Sequence, residues 1–353
     1  MTDLIGEPGL AALIGLGGGI ALGLAARLGR FCTLGAIEDQ LYGGSSARLR
    51  MWGIAIGAAV CATFALTALG LFDPARSFYI AQMPGLTGAI VGGLVFGYGM
   101  ALSGNCGYGA LARLGGGDLR AFVIVLVMGL AAYVTLSGPL AAFRTAAFPR
   151  LPAESPSGIA HVLGTATGLP VAAVGIALGL AILGFSLRGA RAAGVTRAQG
   201  GWAVVVAAAI LSGWIGTHWL AATGFDALPV VSHSFSAPIG ETLLYAMTSS
   251  GARPSFAIGS VLGIVAGAAL GSLLRGQFRW EACEDPRELR RQILGAALMG
   301  WGAVTAAGCS IGQGLSAFSL LAISAPVTLA AIFLGTALGL RQVIEGWPLR
   351  RPV

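Results

Sequence analysis

The sequence predicts an all-α integral membrane protein: nine transmembrane helices plus four short re-entrant half-helices, in two inverted, pseudo-symmetric repeats. Three observations predict it. Hydrophobic residues make up 56% of the 353 and charged residues only 10%, with a mean hydropathy of +0.83, whereas a soluble domain carries about 25% charged residues. Apolar runs recur at lengths that cross a bilayer. The two halves of the chain also repeat one another, residue 86 aligning with residue 289.

The elements follow in chain order. The first span is read at 9–26. Residues 1–8 carry Asp3 and Glu7 and no basic residue, so a signal peptide is not evident and this span is expected to stay. A short segment at 33–43 precedes spans at 51–71 and 86–103. A second short segment at 107–116 precedes a span at 121–141, completing a first repeat over about 9–141. The Pro/Ser-rich stretch 149–170 reads as a periplasmic loop, followed by a linking helix at about 170–187. The second repeat, about 202–341, runs through a span at 202–221, a short segment at 237–248, a span at 256–274 and a charged loop at 275–291. It closes with a span at 292–307, a short segment at 310–320 and a span at 325–340. All of 1–353 reads as one transport domain. The short segments cannot cross a bilayer, but they suit re-entrant half-helices surrounded by protein or a water-filled cavity.

The repeat is visible residue by residue. LTGAIVGGLVFGYGMALSGNCGYGALAR at 86–113 matches LRRQILGAALMGWGAVTAAGCSIGQGLS at 289–316. RFCTLGAIEDQLY at 30–42 aligns, with one gap, to SFSAPIGETLLY at 234–245, pairing Phe31 with Phe235, Glu38 with Glu241 and Cys32 with Ser236. An odd helix between four-span repeats inverts the second, the architecture of many secondary transporters.

Charge gives the orientation. No lysine is present, and all 21 basic side chains are arginine. With the N-terminus outside, 17 arginines face inward, including Arg27, Arg48, Arg113, Arg279, Arg350 and Arg351, and only Arg76, Arg144, Arg150 and Arg253 face outward. This positive-inside split accounts for the basic balance, so no nucleic-acid partner is expected. The expected location is a bacterial inner membrane, multi-pass, with the N-terminus periplasmic and the C-terminus cytoplasmic.

The candidate chemistry lies in a tetrapeptide found three times: Cys32-x-x-Gly35, Cys106-x-x-Gly109 and Cys309-x-x-Gly312, with Ser236 at the fourth equivalent position. A cysteine at the start of a short helix faces unpaired N–H groups and about half a positive charge. Four such helix starts at the bilayer centre present roughly +2, suited to a dianion. The thiol is a soft contact and a weak donor, which favours an anion with a terminal sulfur. A thiolate would repel that anion, so relay by neutral S–H groups is preferred to covalent persulfide transfer. The glycine leaves room for close approach. Asn105 precedes Cys106, while Ser310, Gln313 and Ser316 fall at helical spacing and are expected to share one face. These residues form the candidate substrate site.

The remaining candidates read more plainly. Cys61 is expected to be a small hydrophobe, and Cys283, in a charged loop, incidental. No C-x-x-C occurs and no paired Cys and His suit zinc, so neither metal nor cofactor is expected. His218 reads as interfacial and His161 as a loop residue; His233 is a candidate for meeting an anion at the entrance. Glu38 and Glu241 either couple a proton or, the preferred reading, anchor the short helices.

SGNCGYGALARLGGGD at 103–118, AAGCSIGQGLSA at 306–317 and GRFCTLGAIED at 29–39 together resemble the YeeE/YedE family of bacterial membrane proteins over essentially the full length. That resemblance implies an hourglass-like fold and uptake of thiosulfate past three cysteines, here Cys32, Cys106 and Cys309. It also implies, for some members, a small cytoplasmic sulfur-carrier partner of the TusA type, for which the basic stretch 275–291 is a possible dock and, by preference, a topology anchor. The alternatives are a transporter or channel for another small sulfur or selenium anion, and a membrane sulfurtransferase forming a cysteine persulfide. No ion-coupling cluster is evident.

Overall fold

The computed structural model describes residues 2–282 and 285–346. Cys283 and the terminal Arg350 and Arg351 lie outside the described residues. Apolar side chains on all faces of the long segments leave no solvated face, and in lipid each backbone group must bond within its own segment. Helices result throughout: α1 (Thr2–Leu28), α2 (Thr33–Leu41), α3 (Ala47–Ala68), a 3₁₀ turn (Pro74–Arg76), α4 (Phe78–Ala81), α5 (Leu86–Ser103), α6 (Gly107–Gly115) and α7 (Leu119–Leu136). They continue through α8 (Ala141–Ala147), α9 (Ile159–Thr167), α10 (Val171–Arg188), α11 (Arg197–Thr223), α12 (Ser236–Thr248), α13 (Phe256–Leu274), α14 (Pro286–Thr305), a π-helical segment (Gly312–Ala317) and α15 (Ser324–Ile344). Among the described residues there are no strands, only isolated bridges.

Among the described residues, eight helical stretches are long and apolar enough to cross a membrane. The expected ninth, at 292–307, lies within α14. That helix is 20 residues long, but its first two turns carry Arg287, Glu288, Arg290 and Arg291, which shortens its apolar length. The short segments expected at 33–43, 107–116 and 237–248 are α2, α6 and α12. The fourth is helical from Ser310 and widens to a π-helix at Gly312.

Close helix packing rests on glycine. On α1, a Cβ added at Gly15, Gly19 or Gly23 would strike the carbonyls of Phe256, Ser260 and Ile264. On α13, Gly259, Gly263 and Gly267 stand the same way against Ala12, Leu16 and Ile20. Reciprocal pairs also join α5 to α14 (Gly99 with Gly295, Gly92 with Gly302) and α5 to α15 (Gly97 with Ile332, Gly335 with Leu94). Without a hydrophobic drive between helices in lipid, such backbone approach is what holds them together. The neighbours pair off between the halves. Helix α1 packs on α13 as α11 packs on α3, and α5 packs on α15 as α14 packs on α7. Likewise α12 packs on α7 as α2 packs on α15, while α10 lies against α3 outside this scheme.

At the face where α1 begins, connecting segments form a laced cover. Met83 N donates to Leu151 O (2.8 Å), Ala153 N to Ala81 O (3.0 Å) and Ile159 N to Leu321 O (2.7 Å). Ser157 Oγ donates to Gln82 O (2.6 Å). The stretch expected as loop at 149–170 contains α9, and α4 and α8 are further short helices that the apolar runs do not reveal. At the opposite face, Arg279 N donates to Gly116 O and Glu281 N to Gly117 O, pinning the basic stretch beneath α6.

Candidate functional site

Each C-x-x-G builds the same local object. Cys32 and Cys106 are the N-cap residues of α2 and α6, with extended backbone. Their thiols accept from the glycine three residues on, Gly35 N to Cys32 Sγ at 3.5 Å and Gly109 N to Cys106 Sγ at 3.4 Å. Gly312 N approaches Cys309 Sγ in the same way at 3.5 Å. The sulfur thus satisfies one of the orphan donors at a helix start. Serine would do this better, since sulfur is a weak acceptor; capping does not by itself account for cysteine at three helix starts.

The three thiols come together. Cys106 Sγ lies within electrostatic range of both Cys32 and Cys309, and faces Ser310 Oγ without making a hydrogen bond of good geometry. Cys106 is 0% and Cys309 1% exposed, while Cys32 is half-buried. Aromatic rings wall the junction. Phe31 stacks on Trp52 with centroids 4.8 Å apart, and Phe235 lies 5.9 Å from Tyr108. Tyr108 is held by donating from its hydroxyl to Leu22 O at 2.7 Å.

Several buried hydroxyls near this junction or in its approach have no protein partner. Thr33 Oγ1 beside Cys32, Ser310 Oγ beside Cys309, and Ser236 Oγ are all buried and unpaired. Such groups are costly in a dry interior and are satisfied by an ordered water or by a ligand.

A cavity of about 370 Å³ opens from the face where α1 begins. Its wall is largely apolar, but Tyr79, Arg150, Ser234, Ser236 and Glu241 all line it, down to Gly308 beside Cys309. Ser234 Oγ lies 3.8 Å from Cys309 Sγ. Ser234, Tyr79 and Arg150 were not among the sequence candidates. The alternating hydroxyls in SHSFS at 232–236 were a signal for the first; the other two come from connecting segments without a motif.

Four expectations need correction. Ser236 is not a fourth cap: it is the first residue of α12, Phe235 takes the cap position, and no side-chain cap bond forms. The next glycine, Gly240, is four residues on rather than three, and serves packing against Gly129 O. Ser310, Gln313 and Ser316 do not share a face, because the π-helix changes the angular step between residues. Gln313 Nε2 donates to Ala306 O (2.8 Å) and its Oε1 accepts from Ser324 Oγ (3.4 Å), so both ends of its amide hold structure. Ser316 Oγ donates to His233 O at 2.6 Å. His233 is fully buried, its Nδ1 2.6 Å from Ser260 Oγ, and does not line the entrance. Of the acids, Glu241 accepts from Ser255 Oγ, the N-cap of α13. In α2 it is Asp39, through Arg48 at 3.0 Å, that anchors the helix, while Glu38 is exposed.

The motif glycines also differ. A Cβ at Gly312 would come within 2.6 Å of Ser234 Oγ and 3.3 Å of the Tyr79 hydroxyl oxygen. At Gly109 the nearest atom, Asn105 Oδ1, would be 3.5 Å away, an ordinary contact. Asn105 itself is buried, its carbonyl held by Ser103 Oγ at 2.8 Å. At Gly35 the near neighbour is the flexible Arg48 guanidinium. Gly312→Ala is therefore expected to push Ser234 off Cys309 and lower transport several-fold. Gly109→Ala should leave folding intact or improve it by up to about 1 kcal/mol through helix propensity. Thermal unfolding of the purified variants, beside the transport rate, checks both.

The chain is similar to known proteins over most of its length. The family described as Sulphur transport matches residues 28–338. The chain is 26% identical over 333 residues to the thiosulfate transporter TsuA of Spirochaeta thermophila (strain ATCC 700085 / DSM 6578 / Z-1203), covering 89% of this chain and 93% of that protein. It is 26% identical over 339 residues to the thiosulfate transporter TsuA of Escherichia coli (strain K12), covering 92% of each.

Proposed function

From the premise that the chain belongs to the Sulphur transport family, we propose that it is a transporter, not an enzyme, and that it imports thiosulfate across a bacterial inner membrane. The observation that carries the reading is the set of unpaired hydroxyls beside the clustered thiols, Thr33, Ser310 and Ser236. An oxyanion supplies acceptors for the hydroxyls and for the helix-start N–H groups. A terminal sulfur suits the polarizable thiols of Cys32, Cys106 and Cys309, with Gly35, Gly109 and Gly312 at their helix starts. The anion passes from thiol to thiol by S–H contacts. Near-complete burial of Cys106 and Cys309 favours this over a persulfide carrier, whose sulfur must be reached by an acceptor.

The architecture proposed is nine spanning helices, α14 included, with α2, α6, α12 and the helix from Ser310 re-entrant. Repeats over about 9–141 and 202–341 are related by inversion, with α10 as the linking helix. The paired packing of α1 on α13 and α11 on α3 supports the duplication, and the 17-to-4 split of arginines supports a periplasmic N-terminus and cytoplasmic C-terminus. The basic stretch at 275–291 is held to Gly116 and Gly117 by backbone bonds, which suits a topology anchor better than a docking arm for a sulfur-carrier protein.

The test is uptake of radiolabelled thiosulfate by cells lacking their own thiosulfate and sulfate importers. Expression should raise uptake well above the empty-vector level, and unlabelled thiosulfate should compete better than sulfate or selenite. Uptake no greater than vector sinks the reading.

A further inference from the structure

Among the described residues Arg150 is the only cation lining the vestibule, and Glu241 the only acid. Its placement is built rather than incidental. Nη2 donates to both Val304 O and Thr305 O, each at 2.9 Å, fixing the guanidinium on the C-terminal carbonyls of α14, where the helix dipole favours a cation. The carbonyls occupy one nitrogen. Among the described residues Nε and Nη1 have no hydrogen-bond partner, leaving donors of the guanidinium fork for an acceptor. Arg144, nearby, caps α7 similarly, its Nε donating to Thr135 O at 3.1 Å. Burial first, and then Arg144, pull the Arg150 pKa below its ordinary value, but a guanidinium keeps its charge.

Tyr79 lies in the electrostatic range of both Arg150 and Cys309. Its hydroxyl and that of Ser234 both stand against the space a Cβ on Gly312 would take, and Ser234 reaches Cys309. Burial holds the Tyr79 phenol above its ordinary pKa, so it stays a neutral donor. A cation, two hydroxyls and a thiol therefore succeed one another down the same wall. We propose that Arg150 is the outer capture residue of the transport path, binding the oxygen end of the anion so that its terminal sulfur leads toward Cys309, with Tyr79 and Ser234 as intermediate donors. This deepens the thiosulfate reading and rests on it. Guanidinium–oxyanion pairing is geometrically specific in a way an ammonium is not.

The experiment compares native protein, Arg150→Met and Arg150→Lys in the uptake assay, with membrane abundance measured on a tag. Arg150→Met is expected to raise KM for thiosulfate at least ten-fold with Vmax, per molecule, within two-fold. Arg150→Lys should fall between, near three-fold. Because Arg150 reads oxygens that sulfate shares, the inhibition constant for sulfate should rise in parallel with KM. A purely structural role would instead lower Vmax or abundance and leave that constant alone. Unchanged KM in Arg150→Met at native abundance overturns the proposal, as does a rise for thiosulfate without one for sulfate. If Arg150→Met does not reach the membrane, Arg150→Lys decides, and an unchanged KM there overturns it. Failure of native uptake would instead sink the thiosulfate reading itself.

Discussion

Cys106→Ser is expected to lose thiosulfate uptake by roughly ten-fold or more, because a soft S–H contact is replaced by a harder, shorter hydroxyl at the centre of the path. The same variant should fold normally. Serine is a preferred N-cap, so the bond from Gly109 N, now 3.4 Å to sulfur, is kept and strengthened. This separates chemistry from architecture at one atom. Cys106→Ala removes the cap as well, which costs about 0.5–2 kcal/mol, and should lower both transport and stability. Initial uptake rates normalised to membrane abundance, with thermal unfolding of purified protein, measure the two effects. A serine variant that transports at the native rate would show that the thiols are only caps.

Gly263→Leu is expected to prevent stable folding, with monodisperse protein in detergent falling at least five-fold, while Gly17→Leu is expected to be tolerated. A Cβ at Gly263 would meet Leu16 O and lie 2.9 Å from Gly19 Cα. Both obstacles are backbone, which cannot rotate away, so helices α1 and α13 must separate. Overpacking in a close-packed interior costs about 1–3 kcal/mol even where neighbours relax, and here an entire helix interface is wedged. Gly17 meets nothing within 4 Å and is exposed on α1, so leucine there faces lipid. Size-exclusion profiles of the two variants decide. Equal behaviour would mean that the α1–α13 contact does not hold the fold.

Much of this molecule is legible in its sequence. The long apolar runs place the spanning helices because lipid permits few alternatives for the backbone. The segments expected at 33–43 and 107–116 form α2 and α6 close to those limits, because cysteine before each and glycine within it mark a helix start. The junction of the three thiols follows from motif repetition. The outer cover was not legible. Helices α4 and α9 are short and held by bonds between segments far apart in the chain, such as Ile159 N to Leu321 O, and α8 is a single short helix tied back to the end of α7 through Arg144. In sequence Arg150 is one of four arginines that the positive-inside rule places outward. Nothing local distinguishes it from Arg76, which donates to Ala221 O at the surface.

Composition, charge partition and the repeated C-x-x-G by themselves determined a helical membrane protein, its long apolar helices, and a thiol at the start of three short helices. These depend on local quantities: transfer free energy along the chain, backbone satisfaction in lipid, and the reach of a side chain to the N–H three residues on. The tertiary structure alone decided which like residues are alike. Gly17, Gly18 and Gly19 are consecutive and chemically identical, yet they face open space, the His233 ring and the Ser260 carbonyl. Gly109 and Gly312 hold the same motif position, yet only Gly312 has Ser234 and Tyr79 against it. Ser236 aligns with a capping cysteine, yet it stands inside α12, with Phe235 at the cap, and it lines the vestibule. Steric exclusion acts over a few ångströms between residues far apart in the chain, and no local pattern encodes it.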